Sequence, residues 1–180
     1  MTDPPLQNIV LIGFMGSGKS TIGRDLAHTL SYAQIDTDAL IVERAGKSIP
    51  KIFAEDGESA FRDLESAVLR SIAEDHLQGH IISTGGGIIN RPDNRTLLRR
   101  LGYVVWLVVN PEEIHRRTSR NRNRPLLDTD DPEGTIRRLL AERTPAYRET
   151  AHLAIETDNL TFPEVTAGIV DSARYFFGQA

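Results

Sequence analysis

The sequence predicts a single α/β domain in which a parallel sheet is covered by helices on both faces. Three observations support this prediction. Short apolar runs alternate with helix-like segments, the runs are mostly continuous in apolarity, and no linker, repeat or low-complexity stretch divides the chain. Continuous apolarity is typical of strands buried on both faces, and strand–helix alternation is typical of a parallel sheet. We therefore treat residues 1–180 as one domain.

Five apolar runs are predicted as strands, namely Asn8–Ile12, Ala33–Asp36, His80–Ser83, Tyr103–Val109 and His152–Glu156. Helices are predicted between them, and proline recurs near four helix starts, at Pro92, Pro111, Pro132 and Pro163. Proline is tolerated there because the first N–H groups of a helix have no intrahelical partner. Asn110 and Asp131 are predicted as N-caps, and the single Trp106 is predicted in the core.

The first strand is followed by a phosphate-binding loop. Residues 13–20 match G-x-x-x-x-G-K-[ST], and a helix is predicted from Lys19. Such a loop turns backbone N–H groups toward an anion, its lysine reaches the β- and γ-phosphates, and its serine ligates Mg²⁺. A glycine-rich turn that fits by chance is the alternative, and the flanking strand and helix argue against it. The predicted nucleotide-binding residues are Gly16, Ser17, Gly18, Lys19, Ser20 and Thr21.

The composition of the chain limits the kinds of partner that it can bind. The formal net charge of −4 argues against a general nucleic-acid binder, and no apolar run approaches the ~20 residues of a membrane span. The chain has no cysteine, which excludes disulfides and thiolate metal sites and fits a reducing compartment. The first residues carry no export signal. We expect a cytoplasmic monomer that binds neither nucleic acid nor membranes.

Two acids end the second predicted strand, Asp36 and Asp38. Ligands of open α/β sheets bind at the carboxyl ends of the strands, and residues i and i+2 of an extended segment share a face. A kinase needs one acid to organise Mg²⁺ and its waters and another to orient the attacking hydroxyl and take its proton. The alternative is that both aspartates cap the helix predicted at 39–44.

Further motifs follow in the order found in shikimate kinases, which the chain resembles over roughly residues 8–160. They are Asp36-Thr37-Asp38, Phe61-Arg62-Asp63-Leu64-Glu65, Gly85-Gly86-Gly87, Arg124-Pro125-Leu126-Leu127 and Glu142-Arg143. The resemblance implies ATP-dependent phosphorylation of the 3-hydroxyl of shikimate in aromatic amino-acid biosynthesis. It also implies a five-stranded parallel sheet of order 2-3-1-4-5, flanked by helices, with a mobile lid.

The resemblance also implies residue roles. Asp38 would orient and deprotonate the hydroxyl, and Asp36 would be a water-mediated ligand of Mg²⁺, one ion per subunit, with ATP as co-substrate. Arg62 and Arg143 would bind the substrate carboxylate, since a guanidinium fork matches carboxylate geometry. Gly86 and Gly87 would form the floor of the site, within a shikimate-binding helical region at about 37–65. Phe53 and Phe61 are either pocket walls or core.

Residues from about 116 to 130 are predicted to form the lid, because five arginines crowd 116–124 with little apolar material to pin them. A solvated face or a nucleic-acid patch is the alternative. The resemblance implies that Arg124 joins Lys19 in stabilising the transferring phosphoryl group. It implies that Arg117 stacks on adenine, and leaves Arg120 and Arg122 as solvated residues.

One departure concerns the adenine loop near the fifth strand. Thr157 and Asp158 keep the family register, but an arginine sometimes found next is absent, so strictness for ATP stays open. Two other functions are considered. A gluconate or nucleotide kinase should lack the combined motifs, and a nucleotide-dependent binding module would not need an acceptor-side acid such as Asp38.

Overall fold

The structure, a computed structural model, describes residues 7–119 and 125–178. It contains one sheet of five parallel strands in the order β2-β3-β1-β4-β5, so the predicted topology is confirmed. The strands are β1 (Asn8–Ile12), β2 (Ala33–Asp36), β3 (His80–Ser83), β4 (Gly102–Val108) and β5 (Leu153–Glu156).

The helices connect and flank these strands. They are α1 (Lys19–Leu30), α2 (Thr37–Ala45), α3 (Ile49–Glu55), α4 (Gly57–Glu74), α5 (Pro92–Leu101), α6 (Pro111–Thr118), α7 (Pro132–Thr150) and α8 (Phe162–Gly178). Short 3₁₀ helices cover Ile88–Asn90 and Pro125–Leu127. Both predicted N-caps are confirmed, because Asn110 accepts from Glu113 N at 2.8 Å and Asp131 accepts from Gly134 N at 2.9 Å.

Alternate residues of β1 face two separate apolar clusters. Ile9 and Leu11 pack with residues of α1 and α8, whereas Val10 and Ile12 pack with residues of α2, α3, α4, α5 and α7. Trp106 lies in the second cluster with 7% of its surface exposed, as predicted for a core residue. Burial of both faces explains why the inner strands β1, β3 and β4 are continuously apolar, whereas the edge strands β2 and β5 are partly exposed.

The boundaries of two strands differ by one residue from the prediction. β4 covers 102–108 rather than 103–109, and β5 begins at Leu153 rather than His152. His152 does contact β4, since its backbone N donates to Val104 O at 2.8 Å. The N–H of Val104, however, donates to the ring Nδ1 of His152 at 2.9 Å. The side chain therefore replaces the backbone carbonyl that a strand residue would offer.

The carboxyl ends of the strands collect the predicted functional segments at one edge of the sheet, as expected for an open α/β fold. The phosphate-binding loop follows β1, Asp36 ends β2, the Gly85–Gly87 triplet follows β3, and α6 follows β4. Within the described residues, every helix is too short or too polar to cross a membrane.

Candidate active site

The phosphate-binding loop lies between β1 and α1, as predicted. Gly16 and Gly18 have φ values of 80° and 93°, a left-handed conformation that other residues rarely adopt. Gly18 directly precedes α1, whose first N–H groups have no intrahelical acceptors. Loop and helix terminus together can therefore bind an anion such as a phosphate.

Lys19 lies over this loop. Its ammonium donates to the carbonyl oxygens of Gly13 at 2.7 Å and Phe14 at 2.8 Å, and to Ser17 Oγ at 3.2 Å. Contact with a phosphate oxygen would replace at least one of these bonds, because an ammonium has three donors. A cavity beside the ammonium, which we call the phosphate cavity, is lined by loop residues and by groups from the ends of β2 and β3, namely Met15, Gly16, Gly18, Lys19, Ser20, Thr21, Asp36, Asp38, Thr84 and Gly86.

The two aspartates reach this cavity by a different geometry from the one predicted. Asp36 is the N-cap of α2, and its Oδ1 accepts from Asp38 N at 2.9 Å and from Ala39 N at 3.3 Å. The capping alternative is therefore right for Asp36. The extended-segment argument was wrong for Asp38, which lies in the first turn of α2. Both residues still line the phosphate cavity, because the strand ends and the helix begins at its rim.

Asp36 and Ser20 fit a divalent-cation site. While Oδ1 of Asp36 caps α2, its Oδ2 lies 3.5 Å from Ser20 Oγ. Mg²⁺ prefers hard oxygen ligands and is commonly bound by one or two carboxylates together with substrate phosphates. Among the described residues no group of three or more acidic, histidine or cysteine side chains is placed to bind a metal. A site built from one carboxylate, one hydroxyl and phosphate oxygens agrees with this donor set.

A second cavity adjoins the first and shares Met15, Asp38 and Gly86 with it. It brings together the residues predicted to bind shikimate, which are Asp38, Arg62, Gly86, Gly87 and Arg143. Phe53 and Phe61 line it as well, with ring centroids 4.9 Å apart. We call this cavity the acceptor pocket.

Arg62 is a buried cation of the acceptor pocket, with 8% of its surface exposed. Its Nη1 donates to Glu65 Oε2 at 2.6 Å, while its Nε and Nη2 donate to Glu58 Oε1 at 3.2 and 2.8 Å. A Cβ atom at Gly87 would collide with the guanidinium. With any other residue at this position, the guanidinium would have to move from the place that it occupies here.

Arg143 enters the pocket from α7 and is 4% exposed. Its Nη1 donates to Gly86 O at 3.4 Å, and its Cζ lies 5.4 Å from the centre of the Phe14 ring. No carboxylate of the described part of the chain forms an ion pair with it, although its charge also acts on the buried Glu65. Because a buried charge is costly unless it is paired, this guanidinium favours an anionic ligand.

Three residues in or beside the acceptor pocket received no role from the sequence: Glu65, which lines it, and Thr37 and Tyr147, which bind its glycine triplet. Thr37 accepts from Gly85 N at 3.2 Å, and Tyr147 donates its hydroxyl to Gly86 O. Burial raises the pKa of Tyr147, so this hydroxyl keeps its proton. These bonds attach the glycine triplet to α2 and α7. Tyr147 lies one helical turn after Arg143, a spacing that could have indicated the shared face.

Glu65 is the third of them and is fully buried. Burial raises its pKa to about 7, although the neighbouring Arg62 opposes this shift. Within residues 7–119 and 125–178 its Oε1 has no hydrogen-bond partner, and it lies 2.7 Å from the point where Gly85 would carry a Cβ. Asp38 Oδ1 lies 2.7 Å from the same point. The spacing of Glu65, three residues after Arg62 on α4, is the feature of the sequence that could have indicated their contact.

On the opposite side of the phosphate loop, Arg117 and an exposed aromatic ring flank Gly18. Arg117 Nη1 donates to Gly16 O at 3.2 Å and lies 3.9 Å from the point where Gly18 would carry a Cβ. Phe162 Cε1 lies 3.7 Å from that point, and 45% of this residue is exposed. Sequence reasoning missed Phe162, because an aromatic residue at a helix start carries no specific signal.

The central part of the predicted lid is outside the described residues, including Arg120, Arg122 and Arg124. The described part of this segment that begins at Pro125 makes more apolar contacts than its composition suggested. Leu126 and Leu127 pack against a third apolar cluster that contains Phe14 and Ile136. Leu126 and the preceding Pro125 also line the acceptor pocket.

Comparisons with known proteins agree with this geometry. The profile of the shikimate kinase family matches residues 15–174. The chain is 46% identical to a shikimate kinase of Thioalkalivibrio sulfidiphilus, over 94% of this chain and 86% of that one. It is 44% identical to a shikimate kinase of Caldanaerobacter subterraneus, over 92% and 95% of the two chains. A solved shikimate kinase of Acinetobacter baumannii, in complex with shikimate, superposes with a TM-score of 0.89 at 40% identity, over 93% and 92% of the two chains.

Proposed function

The chain belongs to the shikimate kinase family, and from this premise we propose how its residues divide the work of the reaction. The reaction transfers the γ-phosphoryl group of ATP to the 3-hydroxyl of shikimate, giving shikimate 3-phosphate and ADP, in aromatic amino-acid biosynthesis. One observation supports the division of roles. The acceptor pocket and the phosphate cavity meet at Asp38, so a hydroxyl bound there would face the γ-phosphate.

Arg62 and Arg143 bind the shikimate carboxylate, and Gly86 and Gly87 form the floor beneath the ring. The buried charge of Arg143, which forms no direct ion pair with the described residues, supports this role. On Arg62 the incoming carboxylate takes the place of Glu58, whose side chain is 50% exposed and can move into water. The buried Glu65 keeps its bond to Nη1 and so holds the guanidinium in place.

Asp38 orients the 3-hydroxyl and accepts its proton. As the hydroxyl oxygen bonds to the γ-phosphorus, the bond from that phosphorus to the β–γ bridging oxygen breaks and ADP leaves. Negative charge on the transferring group is stabilised by Lys19, by the N–H groups of the phosphate loop and by Arg124.

Ser20 and Asp36 would hold one Mg²⁺ per subunit together with the phosphates, Asp36 through water. When bound, the ion offsets charge on the β- and γ-phosphates. The double use of Asp36 supports this role, since Oδ1 is fixed by α2 while Oδ2 faces Ser20.

Arg117 and Phe162 flank the nucleotide base, because both lie beside Gly18 with the ring partly open to solvent. Residues of about 37–65 form the shikimate-binding region, and those of about 116–130 form a lid that carries Arg124.

We further propose a cytoplasmic monomer with no nucleic-acid or membrane partner, which its net charge of −4 and its use of ATP support. Light scattering that gives twice the mass of one chain would exclude the monomer.

The substrate is tested by measuring ADP release with Mg·ATP against shikimate, gluconate and nucleoside monophosphates. Shikimate should accelerate release strongly, whereas a shikimate analogue without the 3-hydroxyl should not be phosphorylated. Turnover of gluconate without turnover of shikimate would contradict the proposed assignment.

Replacement of Arg62 by lysine should weaken shikimate binding although the charge is conserved. A compact ammonium cannot supply the planar fork that binds a carboxylate through two parallel bonds. Loss of one charge-assisted bond of about 1.5–3 kcal/mol corresponds to a roughly 10- to 150-fold weaker affinity, measurable by titration calorimetry.

The matched control is Arg70→Lys, because Arg70 lies exposed on the same helix and does not line the acceptor pocket. It should bind shikimate like the unmodified protein. If Arg62→Lys binds equally well, Arg62 does not contact the substrate carboxylate.

A further inference from the structure

The last turn of α6 packs directly on the phosphate loop. A Cβ atom at Gly16 would lie 2.9 Å from Thr118 Cγ2, so only a glycine allows this approach. The guanidinium of Arg117 donates from Nη1 to Gly16 O. It also borders the space beside Gly18, on whose other side Phe162 lies. The orientation of Arg117 therefore affects both the loop and the neighbouring space.

Glu113, one turn earlier on α6, holds this guanidinium. Its Oε1 accepts from Arg117 Nε at 2.6 Å. The same carboxylate accepts from Arg116 Nε and Nη2, each at 2.6 Å. Hydrogen bonds from Arg116 and then Arg117 lower the pKa of Glu113 to about 2, so it stays ionised at neutral pH.

Glu113 is in turn fixed by bonds that lead to the loop after β5. Its backbone N donates to Asn110 Oδ1 at 2.8 Å, and the backbone N of Asn110 donates to Asp158 Oδ2 at 3.0 Å. Asp158 lies four residues before Phe162, the aromatic residue on the other side of Gly18. Hydrogen bonds thus connect the start of α6, which carries Glu113, to the loop that leads to Phe162.

We propose that Glu113 is a positioning residue for nucleotide binding, which fixes Arg117 against the phosphate loop and ties it to the loop after β5. The inference rests on the proposed contact between Arg117 and the nucleotide. An arginine side chain has many rotamers, and ordering it during binding costs affinity. A carboxylate that orders it beforehand reduces that cost.

The test compares steady-state kinetics of Glu113→Ala with those of Glu112→Ala. Glu112 lies on the same turn but pairs with Arg137 of α7, away from the loop. Glu113→Ala should raise KM for ATP about 2- to 5-fold, the range of a partly exposed ion pair, with kcat and KM for shikimate nearly unchanged. Glu113→Gln, which keeps an acceptor oxygen, should lie in between. Glu112→Ala should match the unmodified protein.

Arg117→Ala and the double variant separate this inference from the proposed function. Arg117→Ala should raise KM for ATP, and adding Glu113→Ala should then change nothing further, because Glu113 acts through Arg117. If Arg117→Ala raises KM and Glu113→Ala does not, the positioning role is wrong and the contact of Arg117 stands. If Arg117→Ala has no effect, that contact is wrong and the inference falls with it. A Glu113 effect that persists without Arg117 also overturns the inference.

Discussion

Replacement of Asp38 by asparagine should lower kcat by about 10²- to 10⁴-fold, the range typical for loss of one general base. Asparagine preserves the shape of the side chain but cannot accept the proton of the attacking hydroxyl. Asp38 lines both cavities and lies in the first turn of α2, so its position is set by the helix that Asp36 caps. The variant should therefore fold normally and fail at phosphoryl transfer.

The measurement combines kcat with the affinity for ATP obtained by titration. The affinity should be largely retained, because the phosphate loop is unchanged. Asp56→Asn is the matched control, since this exposed aspartate pairs with Lys47 outside both cavities and should leave kcat unchanged. A kcat within a few-fold of the unmodified value for Asp38→Asn would exclude the general-base role.

Replacement of Lys19 by methionine should lower kcat by about 10²- to 10³-fold, the range for loss of one preorganised donor to a developing negative charge. Unlike Asp38→Asn, this change should impair transfer to any acceptor and weaken ATP binding. It also leaves the carbonyl oxygens of Gly13 and Phe14 without the ammonium donor, so the melting temperature must be compared at the same time.

Lys51→Met provides the control, because Lys51 is an exposed residue of α3 that pairs with Glu55. It should keep both activity and ATP affinity. Equal losses of ATP affinity in Lys19→Met and Asp38→Asn would contradict the proposed separation of phosphate and acceptor roles. Full activity of Lys19→Met with an unchanged melting temperature would remove Lys19 from the catalytic group.

Local patterns in the sequence were sufficient for the elements that carry the site. The boundaries of β1, β2 and β3 were predicted to the residue, since short apolar runs bounded by polar residues depend on local chemistry alone. The phosphate loop was predictable for the same reason, because its glycines and its lysine act through the backbone on which they lie. The strand order came from the family resemblance, which the sheet confirms.

Local patterns were not sufficient to tell whether Asp36 and Asp38 lie in a strand or at the start of a helix. Two aspartates separated by one residue fit an extended segment or a helix start, and the structure has the strand end at Asp36 and the helix contain Asp38. The side chain of Asp36 decides the matter, because it accepts the N–H groups that open α2. Spacing alone does not report where a helix begins.

The sequence by itself determined a single α/β domain, its phosphate loop and the residue types of a kinase site. Only the tertiary structure decided which distant side chains meet. Arg143 of α7 faces Arg62 of α4 across one pocket, Phe162 lies beside Gly18, and Glu65 loses enough water to raise its pKa to about 7. The physical reason is that periodicity reports local backbone conformation, whereas burial, electrostatic environment and contact depend on how separate elements pack.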